Sequence, residues 1–142
     1  MKHFLAVMAM LAVVMVAMPS HAVAARLVAH VDISKQTMTV RKDGRVLYRW
    51  PVSTARRGKV TPVGTFSPKR MHRKWRSTIY GSNMPYSIFF RGPYAIHGTN
   101  AVSRLGRPAS AGCVRLHTAN AKRLFNLTRQ VGPRNMRVKI TY

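Results

Sequence analysis

From Leu27 to the C-terminus, apolar and polar residues alternate in short runs, and that period of two predicts strands. Leu27-Val28-Ala29-His30-Val31-Asp32-Ile33 and Gln36-Thr37-Met38-Thr39-Val40-Arg41 read as two strands, and Val46 to Ser53 as a third. Asp43-Gly44, before the third strand, is a hairpin signal because both residues tolerate positive φ. Pro51 cannot donate to a ladder, which puts its strand at an edge or a bulge. Ala55 to Val63 reads as a basic loop and Thr65 to Pro68 as a short strand. Lys69 to Arg76 is a cationic segment around Met71, His72 and Trp75, a solvated face or a lid. Ser87 to Phe90 and Tyr94 to Ile96 are further strands, and Asn100 to Ala109, with its glycine and proline, is a loop. Val114 and Leu116 form a short apolar stretch after Gly112-Cys113. Only Thr118 to Gln130 has a helical period. Its apolar stripe is Ala121, Leu124 and Phe125 with Thr128, Thr118 is the expected N-cap, and Gly132-Pro133 ends it. Met136 to Tyr142 alternates again as a closing strand. Many short strands with one main α-helix argue for a mostly-β sandwich or barrel.

The first residues follow a different pattern. Lys2 and His3 precede an uncharged apolar run from Leu5 to Met18, and small residues follow. That order is the layout of a secretory signal peptide. The run is shorter than the roughly 20 residues that span a bilayer. Ala22-Val23-Ala24 fits a cleavage site, as does Ser20-His21-Ala22; we take 1–24 as the leader and 25–142 as the folded domain. An uncleaved membrane anchor is the alternative.

Charge narrows the chemistry. The chain carries 25 Lys and Arg against two Asp and Glu, a formal charge of +23. Such a surface attracts anionic polymers: nucleic acid, phospholipid, or a wall rich in carboxylates. The only side-chain carboxylates are Asp32 and Asp43, both in the N-terminal hairpin. A glycosidase needs a carboxylate pair across its substrate, and magnesium or calcium needs several oxygen ligands, so these classes are excluded.

One cysteine is present. In an exported chain, a single thiol is paired with another molecule, inertly buried, or reactive. Taken alone, a cysteine is more often a small buried residue. A reactive one needs a base, and His97 is a candidate at the end of an apolar strand in Ala95-Ile96-His97-Gly98-Thr99. With no carboxylate at hand, a carbonyl or hydroxyl must orient its imidazole. Gly112 lets the backbone bend so that an amide can point at an oxyanion. His97, Cys113 and His117 could supply three zinc ligands, but no fourth strong ligand accompanies them, so no metal is expected. His30 reads as structural, and His117 as ending a strand at the helix start.

Three segments carry a resemblance. Asn83-Met84-Pro85-Tyr86-Ser87-Ile88-Phe89-Phe90, Ala95-Ile96-His97-Gly98-Thr99 and Ser110-Ala111-Gly112-Cys113-Val114-Arg115-Leu116 resemble the L,D-transpeptidase (YkuD-like) catalytic domain. That family's signature is a histidine, a spacer, then Ser/Thr-His-Gly-Cys with a hydrophobic residue and Arg or Asn; the His97 to Cys113 interval fits. The likeness runs from about Leu27 to Tyr142. One position departs: the histidine that often precedes the glycine is Ala111 here.

The resemblance implies a fold, a β-sandwich or barrel of the L,D-transpeptidase type, and roles. Cys113 attacks and becomes the acyl-enzyme, His97 moves the proton, the Gly98 carbonyl orients the imidazole, and amides near Gly112 hold the oxyanion. Arg115 braces the loop or meets a carboxylate; Ser110, Tyr80, Met84 and Tyr86 would contact substrate. It implies a peptidoglycan L,D-transpeptidase of the periplasm, associated with the cell wall. The tetrapeptide stem is the donor, D-alanine is released, and a 3-3 cross-link forms, with carboxypeptidase activity as a side reaction and acylation by carbapenems. No cofactor or specific nucleic acid is expected, no membrane span after processing, and a monomer. The alternatives are the same chemistry with an acidic outer-membrane protein as acceptor, or a non-catalytic basic binder of wall polymer or nucleic acid.

Overall fold

The computed structural model describes residues 15–18 and 26–142. The expected leader therefore lies, except for residues 15–18, outside the described residues. Among them, no helix is long and apolar enough to cross a membrane.

The mostly-β reading holds. Among the described residues the strands are β1 (Leu27–Asp32), β2 (Thr37–Lys42), β3 (Arg45–Pro51), β4 (Gly64–Phe66), β5 (Arg70–His72), β6 (Ser87–Arg91), β7 (Tyr94–Thr99), β8 (Val114–His117) and β9 (Met136–Thr141), with one α-helix, α1 (Thr118–Val131). Two sheets form, ordered β3-β2-β1-β9-β4 and β5-β6-β7-β8. Asp43 and Gly44 both take positive φ, 49° and 80°, as the hairpin signal requires. Pro51 ends β3, which is an edge strand.

The two inner faces make the core. Leu27, Ala29 and Val31 alternate inward from β1, Met136, Val138 and Ile140 from β9 beside it. Ile96, Val114 and Leu116 meet them from the second sheet, and Ala121, Leu124 and Phe125 of α1 complete the cluster. Phe66 and Phe90 touch across the sheets at 5.4 Å between ring centroids.

One local expectation is corrected, and one segment divides in two. The N-cap of α1 is His117, not Thr118: His117 Nδ1 accepts the Ala119 amide at 3.1 Å. Thr118 is instead drawn against Gly98, where a Cβ would lie 2.9 Å from the Thr118 Cα. The cationic segment from Lys69 to Arg76 is not one unit. Its first half is β5, paired to β6. Its second half opens a flap in which Met84 donates to the Trp75 carbonyl and Ser77 to that of Ser82, at 2.8 and 2.9 Å.

Candidate active site

β7 and β8 are parallel neighbours. Parallel pairing needs a long crossover, and residues 100–113 supply it. The crossover ends by delivering Cys113 to the start of β8, beside β7. Register then decides what meets. His97 is opposite Arg115, and Ile96 is opposite Val114. Ile96 and Val114 face the core, so Ala95, His97, Cys113 and Arg115 share the other face. On that face Met84, Phe89 and Ala95 form a second apolar cluster against which Trp75 and Cys113 pack.

Met84, His97, Cys113 and Arg115 floor a cleft of about 380 Å³. Gly58, Lys59 and Val60 form one rim; the flap tip, with Ile79 and Tyr80, forms the other. Val60, Ile79 and Tyr80 are exposed, so both rims offer apolar surface to a ligand. Ser77 Oγ accepts the Ile79 and Tyr80 amides at 3.3 and 3.0 Å and shapes the tip.

His97 is only 5% exposed, and its Nδ1 lies 2.7 Å from the Gly98 carbonyl. A carbonyl only accepts, so Nδ1 carries the proton and Nε2 holds the lone pair. Burial drives the imidazole pKa down to about 4, the nearby Arg115 charge adds to this, and the Gly98 carbonyl opposes it. Burial also pushes the Cys113 thiol up, with the Ala95 backbone and Arg115 pulling the other way. Both groups are therefore neutral near pH 7. The thiol points at the Pro93 carbonyl, 3.7 Å away.

The cysteine loop is held from below. Ser110 Oγ donates to the Cys113 carbonyl at 2.6 Å and accepts the Gly112 amide at 3.0 Å. Thr61 Oγ1 donates to the Gly112 carbonyl at 2.8 Å. Gly112 has φ 135°, and a Cβ there would sit 2.5 Å from the Tyr94 ring and 2.8 Å from the Val60 carbonyl. Only glycine fits both the angle and the space.

The structure thus brings together His97, Gly98, Cys113 and Arg115, with Met84 and Tyr80 on the cleft wall. Two expected contacts are elsewhere. Ser110 is fully buried, so its hydroxyl braces the loop and does not reach a ligand. Tyr86 packs on the core side, its ring 5.7 Å from that of Phe125. Sequence reasoning missed Thr61, 51 residues from its partner, and the apolar rims. The visible hint for the rims was isolated apolar residues, Val60 and Ile79, inside polar loops. Both aspartates are engaged away from the cleft, with Arg26 and Lys35, leaving Arg115 no carboxylate partner among the described residues.

Comparison with known proteins bears on the family and the fold. Residues 26–140 match the family model of the L,D-transpeptidase catalytic domain. The chain is similar to YkuD of Bacillus subtilis, 26% identical over 114 residues, or 78% of this chain and 63% of the relative. An L,D-transpeptidase structure from Xylanimonas cellulosilytica is 27% identical with a TM-score of 0.71, covering 84% of this chain and 62% of that one. L,D-transpeptidase 3 of Mycobacterium tuberculosis, solved with a faropenem-derived adduct, shares the fold at 21% identity and a TM-score of 0.71, over 82% of this chain and 60% of that one. The chain spans about three fifths of the length of these proteins.

Proposed function

The chain belongs to the L,D-transpeptidase catalytic-domain family, and from that premise we propose that it is an exported peptidoglycan L,D-transpeptidase with Cys113 as nucleophile and His97 as base. One observation carries this: Cys113 and His97 share a face of adjacent strands at the floor of a cleft, and the imidazole is tied to a carbonyl. The lack of an orienting carboxylate is no obstacle when Gly98 performs that task.

The neutral pair sets the order of events. No thiolate is stored at rest; His97 Nε2 takes the Cys113 proton as Sγ attacks the carbonyl before the terminal D-alanine. The Gly112 amide is already bonded to Ser110, so the Cys113 amide is the donor left in that turn for the oxyanion. Arg115, without a carboxylate of its own, meets a carboxylate of the stem. Collapse breaks the C–N bond, the imidazolium returns its proton to the departing amine, and a thioester remains on Cys113. An acceptor amine then attacks the thioester, and the thiol is restored. The side chain of a second stem's diamino acid gives a 3-3 cross-link, and water gives carboxypeptidase activity. Export places this chemistry in the periplasm, at the wall.

Incubation with tetrapeptide muropeptides should release D-alanine and form linked dimers, and Cys113→Ala should abolish both. Unchanged product from Cys113→Ala would sink the proposal. A deletion strain separates acceptors: loss of 3-3 cross-links identifies a stem, and loss of protein-linked muropeptides alone identifies an outer-membrane protein.

A further inference from the structure

The outer face of the five-stranded sheet faces away from the core and from the cleft. Register places its side chains in rungs. Arg49, Thr39, His30, Lys139 and Thr65 lie across β3, β2, β1, β9 and β4. The next rung carries Val46, Arg41, Val28 and Arg137. Arg49 and Lys139 are exposed, and Arg41 and Arg137 half-buried. Arg137 is held in place, its Nη1 donating to the Arg134 and Met136 carbonyls at 2.8 Å each.

Strand spacing makes this a patch about 14 Å wide with rungs about 7 Å apart. The carboxylates at its two margins are engaged: Asp32 accepts from the Ser34 hydroxyl and the Lys35 amide, at 2.6 and 3.0 Å, and Asp43, two residues beyond Arg41, lies 3.8 Å from Arg26. The clustered charge is felt within the face. The His30 pKa is lowered by burial first, then by Lys139 and Arg41, with Asp32 opposing. Four cations thus lie in two neighbouring rungs of a threonine-rich sheet, separated along each rung by Thr39 and His30 or by Val28.

We propose that this face docks on an anionic phospholipid surface. A linear polyanion is tracked by a groove or a stripe, whereas these cations spread in two dimensions, as headgroups do. Each Lys or Arg near such a surface adds to binding, which fades over a Debye length. Docking would also leave the cleft free. His97 and Cys113 sit on the far side of the sandwich, so a chain lying on this face turns its cleft away from the lipid. The inference does not depend on the chemistry at Cys113.

The test is co-sedimentation of the full chain with vesicles of phosphatidylcholine alone or mixed equally with phosphatidylglycerol. The N-terminal apolar run contributes alike to every variant, so the readout is the difference between the two vesicles. The wild type should partition to the anionic vesicles, and less so in high salt. Arg41→Gln with Lys139→Gln should lower that partitioning about thirtyfold. Lys122→Gln with Arg129→Gln, an equal charge loss on the exposed side of α1, should lower it less than threefold. Circular dichroism confirms that each variant is folded. Equal losses from both pairs would overturn the proposal in favour of net charge alone. No preference for phosphatidylglycerol overturns it outright. If the Arg41 and Lys139 pair weakens capture by purified wall sacculi but not by vesicles, a wall polymer occupies the face and the proposal fails.

Discussion

His97 holds the sharpest consequence at the scale of single residues. Unfolded, it titrates near 6.5; folded, it stays neutral down to about 4. Between those values the unfolded chain binds a proton that the folded chain does not. Stability from this group is therefore full above pH 6.5 and falls by roughly 3 kcal/mol as the pH drops toward 4. Urea denaturation at pH 7.5 and 4.5 measures the loss, and His97→Gln should flatten it; an undiminished slope in that variant would assign it to other groups. In the proposed reaction, His97→Gln should also slow acylation of Cys113 by a carbapenem roughly 10²- to 10⁴-fold, read by mass spectrometry of the adduct. Gly112 is constrained by space as well as angle. Gly112→Ala forces a methyl into the Tyr94 ring and the Val60 carbonyl and is expected to cost about 1–3 kcal/mol from backbone strain. A lowered unfolding midpoint together with slower adduct formation checks it. Cys113, His97, Gly98 and Gly112 could be singled out in the sequence because they lie in two short motifs. Ser110 was misplaced because nothing local says whether a hydroxyl turns inward or outward.

At the scale of elements, α1 and the flap behave differently. α1 ties the second sheet to the core through Leu124, which is fully buried. Leu124→Ala should cost about 2–5 kcal/mol. His117→Ala removes the observed cap and should cost about 1 kcal/mol, with the rate of adduct formation unchanged. Denaturation midpoints and a single adduct time course test both; a large kinetic effect of His117→Ala would show that its role extends beyond capping. The flap is held by few bonds. Ser77→Ala removes the hydroxyl that orders Ile79 and Tyr80, and should raise KM for the donor about two- to tenfold with kcat little changed. Strands and helix were readable from period alone, within a few residues. The split of Lys69 to Arg76 was not, because pairing to β6 depends on a partner strand and not on the segment's own composition.

The whole molecule is dominated by like charge. With 25 basic residues, two carboxylates and only two ion pairs among the described residues, repulsion opposes compaction. Salt should therefore stabilise this chain. Raising NaCl from 20 to 300 mM is expected to lift Tm by about 3 °C or more, and scanning calorimetry at the two salt concentrations would show it. A fall in Tm would mean that the two ion pairs outweigh the repulsion.

The sequence by itself determined the class of fold, the one main α-helix and the hairpin at Asp43-Gly44, and it singled out Cys113 and His97 as candidates. Those features rest on period, turn chemistry and a motif, which are local in the chain. Only the tertiary structure decided that His97 and Cys113 share a face, because that depends on the register of two parallel strands across a long crossover. It also decided that the pair is neutral, since burial sets both pKa values and no run of residues reports burial. The brace from Thr61 and the two-rung basic face have the same origin: each is assembled from residues distant in sequence, brought together by sheet order.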